Sequence, residues 1–366
     1  MSLRGSWDDG LLTALGAILP LLEDDDITDI EANGFDDIWA KGHGWRGHRK
    51  IEGVGWKDRE DFQVCCIRIS DVIGRSLSTR TPVLDARLPG GERVNIAIPP
   101  ACERIALTIR KFPAETMTFD RLVQLGSANG TIARMCEALV LARRSIIVAG
   151  GTGAGKTSLL NALTRFIPKN ERIVTIEDAR ELQIGQPNWV SMESVEPTAG
   201  EGRALGIGDL VRNALRQTPD RIIVGEVRWD DALHLLRAFS TGHGGGFGTL
   251  HANDAVDALN QLQLLAQMAP IGGLTAAVVS ALVARAVDVV IYQKLFEDEG
   301  KRRIAEIVEL EQPGVAATPT GLEYRVRRLA LWSQEHGAWT FPSMPSDRLL
   351  TTLRRLQLRW PVEAAS

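Results

Sequence analysis

The chain has 366 residues, 44% of them hydrophobic and 24% charged, with a formal net charge of −4. That length exceeds one small core and predicts two domains. The acidic balance gives no global electrostatic case for coating a nucleic acid, so no specific nucleic-acid binding is expected.

The start, MSLRGSWDD, carries no signal-peptide apolar segment, and the most apolar run, 271–284, is too short to cross a bilayer. A cytoplasmic location is expected. Residues 1–22 carry a helical pattern (Leu11, Leu12, Leu15, Ile18, Leu19), stopped at Pro20. Short strands are predicted at 27–32, 37–41 and 48–53, separated by Asn33-Gly34 and Gly42-His43-Gly44 turns. A helix over 58–76 places Phe62, Cys65, Cys66, Ile69, Val72 and Ile73 at helical spacing. Cys65, Cys66, Cys102 and Cys136 show no C-x-x-C spacing, which predicts structural thiols rather than metal ligands or disulfides. Strands at 83–88 and 93–98, joined by Pro89-Gly90-Gly91, and at 105–111 complete an α+β unit.

Residues 112–118 (FPAETMT) break the periodicity. The division is therefore an N-terminal α+β domain at 1–112, a linker at 113–118, a domain at 119–312 and a C-terminal extension at 313–366. Helical patterns at 119–125 and 130–143 lead to an apolar strand at 145–149 and then to GGTGAGKT at 150–157. This fits G-x-x-x-x-G-K-[ST], and the strand before it and the helix after it supply the context of a phosphate loop. Such a loop must curl tightly enough to aim several N–H groups at one anion, and the following helix adds its positive dipole end. The predicted nucleotide-binding residues are Gly150, Gly151, Thr152, Gly153, Ala154, Gly155, Lys156, Thr157 and Ser158. Lys156 would neutralise the β/γ-phosphates, and the Thr157 hydroxyl would ligate Mg²⁺.

Three further constellations follow. RIVTIED at 172–178, with Glu181 after it, is an apolar strand ending in acids. Glu177 and Asp178 would hold Mg²⁺ through water or orient the attacking water. DRIIVGEVR at 220–228 has Gly225 where many phosphate-loop ATPases carry a metal-binding Asp, leaving Glu226 to polarise the nucleophilic water. TGHGGGFGTLH at 241–251 places two histidines in a glycine-dense loop returning to a strand. Its glycines would let the backbone approach something closely, and His251, ahead of His243, would donate to a γ-phosphate. Between these motifs strands and helices alternate, which predicts a mostly parallel sheet flanked by helices. Beyond 312 come a Pro/Gly segment, a strand-like 323–332 and a basic amphipathic helix at 347–360. That helix would pack on its own domain, or dock a partner or an anionic membrane.

GGTGAGKT, TIEDARE, DRIIVGEVR and TGHGGGFGTLHA, in that order, resemble the Walker A, Asp box, atypical Walker B and His box of the type II/IV secretion ATPases. The spacing, and ALTIRKF before the linker, are most similar to the conjugal-transfer (TrbB-type) ATPases and their type IV secretion relatives. The likeness covers about 20–312, and the Gly225 departure agrees with that family. The resemblance implies an N-terminal α+β domain and a RecA-like α/β ATPase domain, assembled as a homohexamer at the inner face of the inner membrane. There it would work with membrane components of a secretion or conjugation apparatus. It implies ATP and Mg²⁺ as cofactors, hydrolysis as the activity, and N-terminal-domain arginines that reach the phosphates. The matching positions are Arg93 in GERVN and Arg110 in LTIRKF. Alternatives are a pilus-assembly or type II secretion motor, a nucleotide-gated scaffold with little turnover, and a DNA-translocating helicase. The absence of C-x-x-C pairs weakens the first, and the acidic balance weakens the last.

Overall fold

The computed structural model describes residues 7–42, 45, 47–111, 116–195, 204–229, 231–242, 244–271, 274–318 and 321–362. The chain forms two compact units, 1–115 and 116–366.

In the first unit, α1 (Asp9–Ala14) and α2 (Leu19–Glu23) are separated by a 3₁₀ turn. Pro20 does not end the helical pattern but opens α2, at the first turn where its missing N–H costs nothing. The strands are β1 (Ile27–Ala32), β2 (Ile38–Gly42), β3 (Arg49–Lys50), β4 (Val83–Arg87), β5 (Arg93–Ala97) and β6 (Ala106–Arg110), with α3 (Arg59–Ile73) between β3 and β4. They form one antiparallel sheet in the order β3-β2-β1-β6-β5-β4. Asp58 caps α3 by accepting from the Asp61 N–H, and Gly74, left-handed at φ 71°, ends it short of the predicted 76. Phe62, Cys65, Cys66 and Ile69 share a core with Ile30, Val94, Ile96 and Ile109. Both cysteines are free thiols, and burial pushes Cys66 up to about 12.

The second unit contains α4 (Phe119–Gln124), α5 (Gly130–Leu141), β7 (Ile146–Ala149), α6 (Lys156–Thr164), β8 (Ile173–Glu177), β9 (Trp189–Glu193) and α7 (Ile207–Ala214). Then come β10 (Arg221–Val224), α8 (Asp231–Ser240), β11 (Phe247–Leu250), α9 (Ala255–Gln267), α10 (Ala276–Ala286) and β12 (Val289–Phe296). The chain closes with β13 (Lys301–Thr318), β14 (Gly321–Ser333), β15 (Ala338–Thr340) and α11 (Asp347–Arg355). The sheet order is β15-β14-β13-β12-β7-β11-β10-β8-β9. Pairing is parallel from β12 through β9 and antiparallel from β12 outward to β15. The inner strands are buried on both faces, which is why they read as continuous apolar runs rather than alternating ones. Ile147 and Ala149 face a core built with α7–α10, while Ile146 and Val148 face one built with α4–α6.

The tail is no appendage. The expected boundary at 312 falls inside β13, where the register against β14 shifts between Leu310 and Val315. The Pro-Gly signal marks a bulge within a strand rather than the end of a domain. Helix α11 ends at 355 and buries Leu349 and Leu353 in the same core as Ile146. Arg144 donates to Thr352 Oγ1 at 2.7 Å, and Arg348 pairs with Asp288, so the helix packs on its own unit. No helix among the described residues is long and apolar enough to cross a membrane.

Candidate nucleotide-binding site

Strand β7 delivers the chain to the carboxyl edge of the parallel strands, and the 150–155 loop turns it into α6. Gly153 (φ 71°) and Gly155 (φ 93°) take left-handed backbone that side chains resist. Gly150 is glycine for a different reason: a Cβ there would stand 2.3 Å from the Gln293 carbonyl oxygen. Nothing lies within 4 Å of a Cβ at Gly151, so packing within the chain does not demand glycine there. Gly155 caps α6 without any side chain, leaving the first helical N–H groups for an anion.

Lys156 is almost fully buried, and its Nζ donates to the Gly150 and Gly151 carbonyls, both at 3.1 Å. The Thr157 hydroxyl donates to Glu181 Oε2 at 3.2 Å. Glu177 lies at the end of β8, where its Oε1 accepts from the Glu181 and Leu182 N–H groups at 2.8 and 3.0 Å. The sequence groups Glu177 with Asp178, but the structure separates them. Asp178 pairs with Arg228 at 3.3 Å, and the carboxylate that reaches Thr157 is Glu181.

Gly225 also acquires a reason. A Cβ there would be 2.7 Å from Glu177 Cγ, so Glu177 occupies the space that an Asp at 225 would need. Just beyond, Glu226 Oε1 is 2.8 Å from His251 Nε2, and its other oxygen is held by Arg228. His251 stands at the end of β11 with both ring nitrogens 3.4 Å from Lys156 Nζ.

The rest of the histidine-containing loop behaves differently. Gly245 and Gly246 lie at the amino edge of β11, where their missing side chains admit Arg221, Arg143 and Phe239. What those glycines approach is therefore the protein's own core, not a ligand. His243 lies outside the described residues. Arg93 and Arg110 belong to the first unit and face one another across β5 and β6. Arg87 is the next residue in that row, opposite Arg93, and Asp29 flanks the other end, 2.7 Å from Arg110 Nε. Directly opposed like charges destabilise a sheet, and Asp29 offsets the row at the Arg110 end.

A family model described as Type II/IV secretion system protein matches residues 14–327. The chain belongs to that family. It is 33% identical over 339 residues to a putative conjugal transfer protein of Mycobacterium tuberculosis, covering 89% of this chain and 90% of that one. It is 36% identical over 315 residues to the type IV secretion system protein PtlH of Bordetella pertussis, covering 79% and 91%. Among solved structures, the Legionella pneumophila ATPase DotB superposes with a TM-score of 0.57 at 22% identity, covering 80% of this chain and 79% of that one. The relatives place the chain among the type II/IV secretion system proteins and the DotB likeness bears on the fold, while residues 328–366 lie beyond the span that the family model matches.

Several site residues of this secretion-family chain escape a reading by motif. Glu181 carried a visible signal, four residues after Glu177 in EDARE, and Arg228 follows Glu226 by two.

The electrostatics of the site centre on Lys156. Burial lowers the Lys156 ammonium below the usual lysine value, with Glu226 acting against it. Burial and then the Lys156 charge hold the His251 imidazole below its usual value, so it is neutral at pH 7. A neutral ring with its proton on Nε2 satisfies both contacts, donating to Glu226 and accepting from Lys156. The donor set for a divalent cation is a hydroxyl and a carboxylate, and no cluster of three metal-binding side chains occurs among the described residues. That fits Mg²⁺, which takes one or two protein oxygens and otherwise waters and phosphates.

Proposed function

We propose that this chain is a Mg²⁺-dependent ATP hydrolase that powers conjugative transfer or type IV secretion. Its second unit is read as a RecA-like domain, working as a homohexamer at the inner face of the inner membrane with membrane components of the apparatus. The observation that carries the reading is the convergence of Lys156, Thr157–Glu181 and Glu226–His251 at one sheet edge. Lys156 and the loop amides stabilise charge on the phosphates. Thr157 holds Mg²⁺, with Glu181 orienting its hydroxyl and Glu177 fixing Glu181. The bound ion supplies charge neutralisation at the β- and γ-phosphates. Glu226 orients the water that attacks in line, and His251 holds Glu226 while sensing the γ-phosphate. Arg93 and Arg110 are assigned as phosphate-binding guanidiniums.

Both oxygens of Glu226 are engaged, one by Arg228 and one by His251. This favours a second reading, a nucleotide-gated scaffold with little turnover until Arg228 releases Glu226. Steady-state ATPase activity against protein concentration, with the particle mass recorded in parallel, separates the two. The motor reading expects turnover that rises as hexamers form; binding and assembly without turnover would replace it with the scaffold.

A further inference from the structure

The phosphate loop is braced from a direction its motif does not reveal. Strand β12 runs parallel beside β7, in register from Val289 opposite Ile146 to Tyr292 opposite Ala149. Its pairing with β13 then shifts between Tyr292 and Gln293, level with the point where β7 gives way to the loop. The bulge turns Gln293 against the loop at both ends. Its carbonyl oxygen fills the space beside Gly150, and its amide lies 3.3 Å from where a Gly155 Cβ would be. Gln293 is 1% exposed, and its Oε1 has no hydrogen-bond partner.

Arg302, across the hairpin opposite Leu295, completes the support. Its Nε donates to the Gly153 carbonyl at 2.7 Å, and its Cδ lies 3.2 Å from a Gly155 Cβ position. The residue is otherwise exposed. A planar trans peptide sets its C=O and the next N–H on opposite sides. Holding the Gly153 carbonyl outward therefore fixes the Ala154 N–H inward, where it makes only a long 3.3 Å bond to the Gly151 carbonyl. That N–H is one of the donors a phosphate would take.

We propose that Arg302 is a positioning residue for nucleotide binding: it pins the Gly153–Ala154 peptide so that the loop, seated on Gln293, presents its amides to the phosphate chain. The inference rests on the nucleotide reading and adds a residue 149 positions beyond Gly153. Its guanidinium sets loop geometry in the ground state as much as in the transition state, so it acts on affinity more than on turnover.

The test is calorimetric titration of the full chain with ADP, together with melting curves and ATPase kinetics, for wild type, Arg302→Ala and Arg302→Lys. Arg302→Ala is expected to raise the ADP Kd about tenfold and the KM for ATP in parallel, the size of one charge-assisted hydrogen bond. The kcat and ligand-free melting temperature should stay near the wild-type values. Arg302→Lys keeps a charged donor and should recover most of the affinity. Wild-type affinity in Arg302→Ala would overturn the proposal while leaving the nucleotide reading intact. So would an affinity loss matched by a fall in ligand-free melting temperature, which would make Arg302 a fold residue only. Failure of the wild type to bind ADP would overturn both readings.

Discussion

The two ends of strand β10 put the same side-chain types to opposite uses. At the amino end, Arg221 is fully buried, and its guanidinium donates to Glu171 at 2.5 Å, Gly245 O at 2.8 Å and Val140 O at 3.1 Å. Arg143 closes on the same Glu171 at 3.0 Å. At the carboxyl end, Glu226, Arg228, Asp178, His251 and Lys156 pair with one another, but most of them keep part of their surface in water. A buried charge whose three nitrogens are all hydrogen-bonded cannot change partner without a large loss. Half-exposed charges can exchange each other for a phosphate. One strand thus carries a fixed anchor at one end and a replaceable network at the other.

The largest expected effect breaks the anchor. Arg221→Ala removes a fully buried guanidinium, strands the Gly245 and Val140 carbonyls and leaves Glu171 to Arg143 alone, and should cost about 3–5 kcal/mol of stability in urea unfolding, with turnover per folded molecule little changed. A loss below about 1 kcal/mol would show that the amino edge is as yielding as the carboxyl edge. Next, Gly225→Ala sharpens the comparison at the other end. Its Cβ must displace Glu177, and with it Glu181, so turnover should fall on the order of 10²-fold, as misplaced catalytic groups do, at nearly unchanged melting temperature. Unchanged activity would show that Glu177 has no part in the site.

The smallest effect is a pH dependence at His251. Its folded value lies below 6.5, so between the two values the unfolded chain binds more protons. Stability should therefore fall as pH drops below 6.5, and the fall should be smaller in His251→Asn. Parallel melting curves for the two proteins across that range would remove the lowered imidazole from the account.

Much of this contrast is legible in the sequence. The phosphate loop announced itself because strand, glycines and lysine are contiguous, and His251 and Glu226 stood out because each follows an apolar strand. What stayed hidden depends on which strands lie side by side. The glycines of the histidine loop imply a close approach by the backbone, and only the fold shows that Gly245 makes room for Arg221. Gly225 read as a missing Asp, and only the neighbouring β8 shows Glu177 filling its place. Pro313-Gly314 read as a domain edge because a bulge and a chain break use the same residues. Glu181 on Thr157 and Arg302 on Gly153 join residues that local periodicity cannot bring together.

On the proposed function, the carboxyl-edge network reorganises around a nucleotide that it hydrolyses. The most direct measurement is ATP affinity and turnover on the same preparation of Glu226→Gln. Near wild-type affinity is expected, because Lys156 and the loop are intact, with turnover lowered about 10²–10⁴-fold, the contribution of a positioned general base. Wild-type turnover in that variant would contradict it.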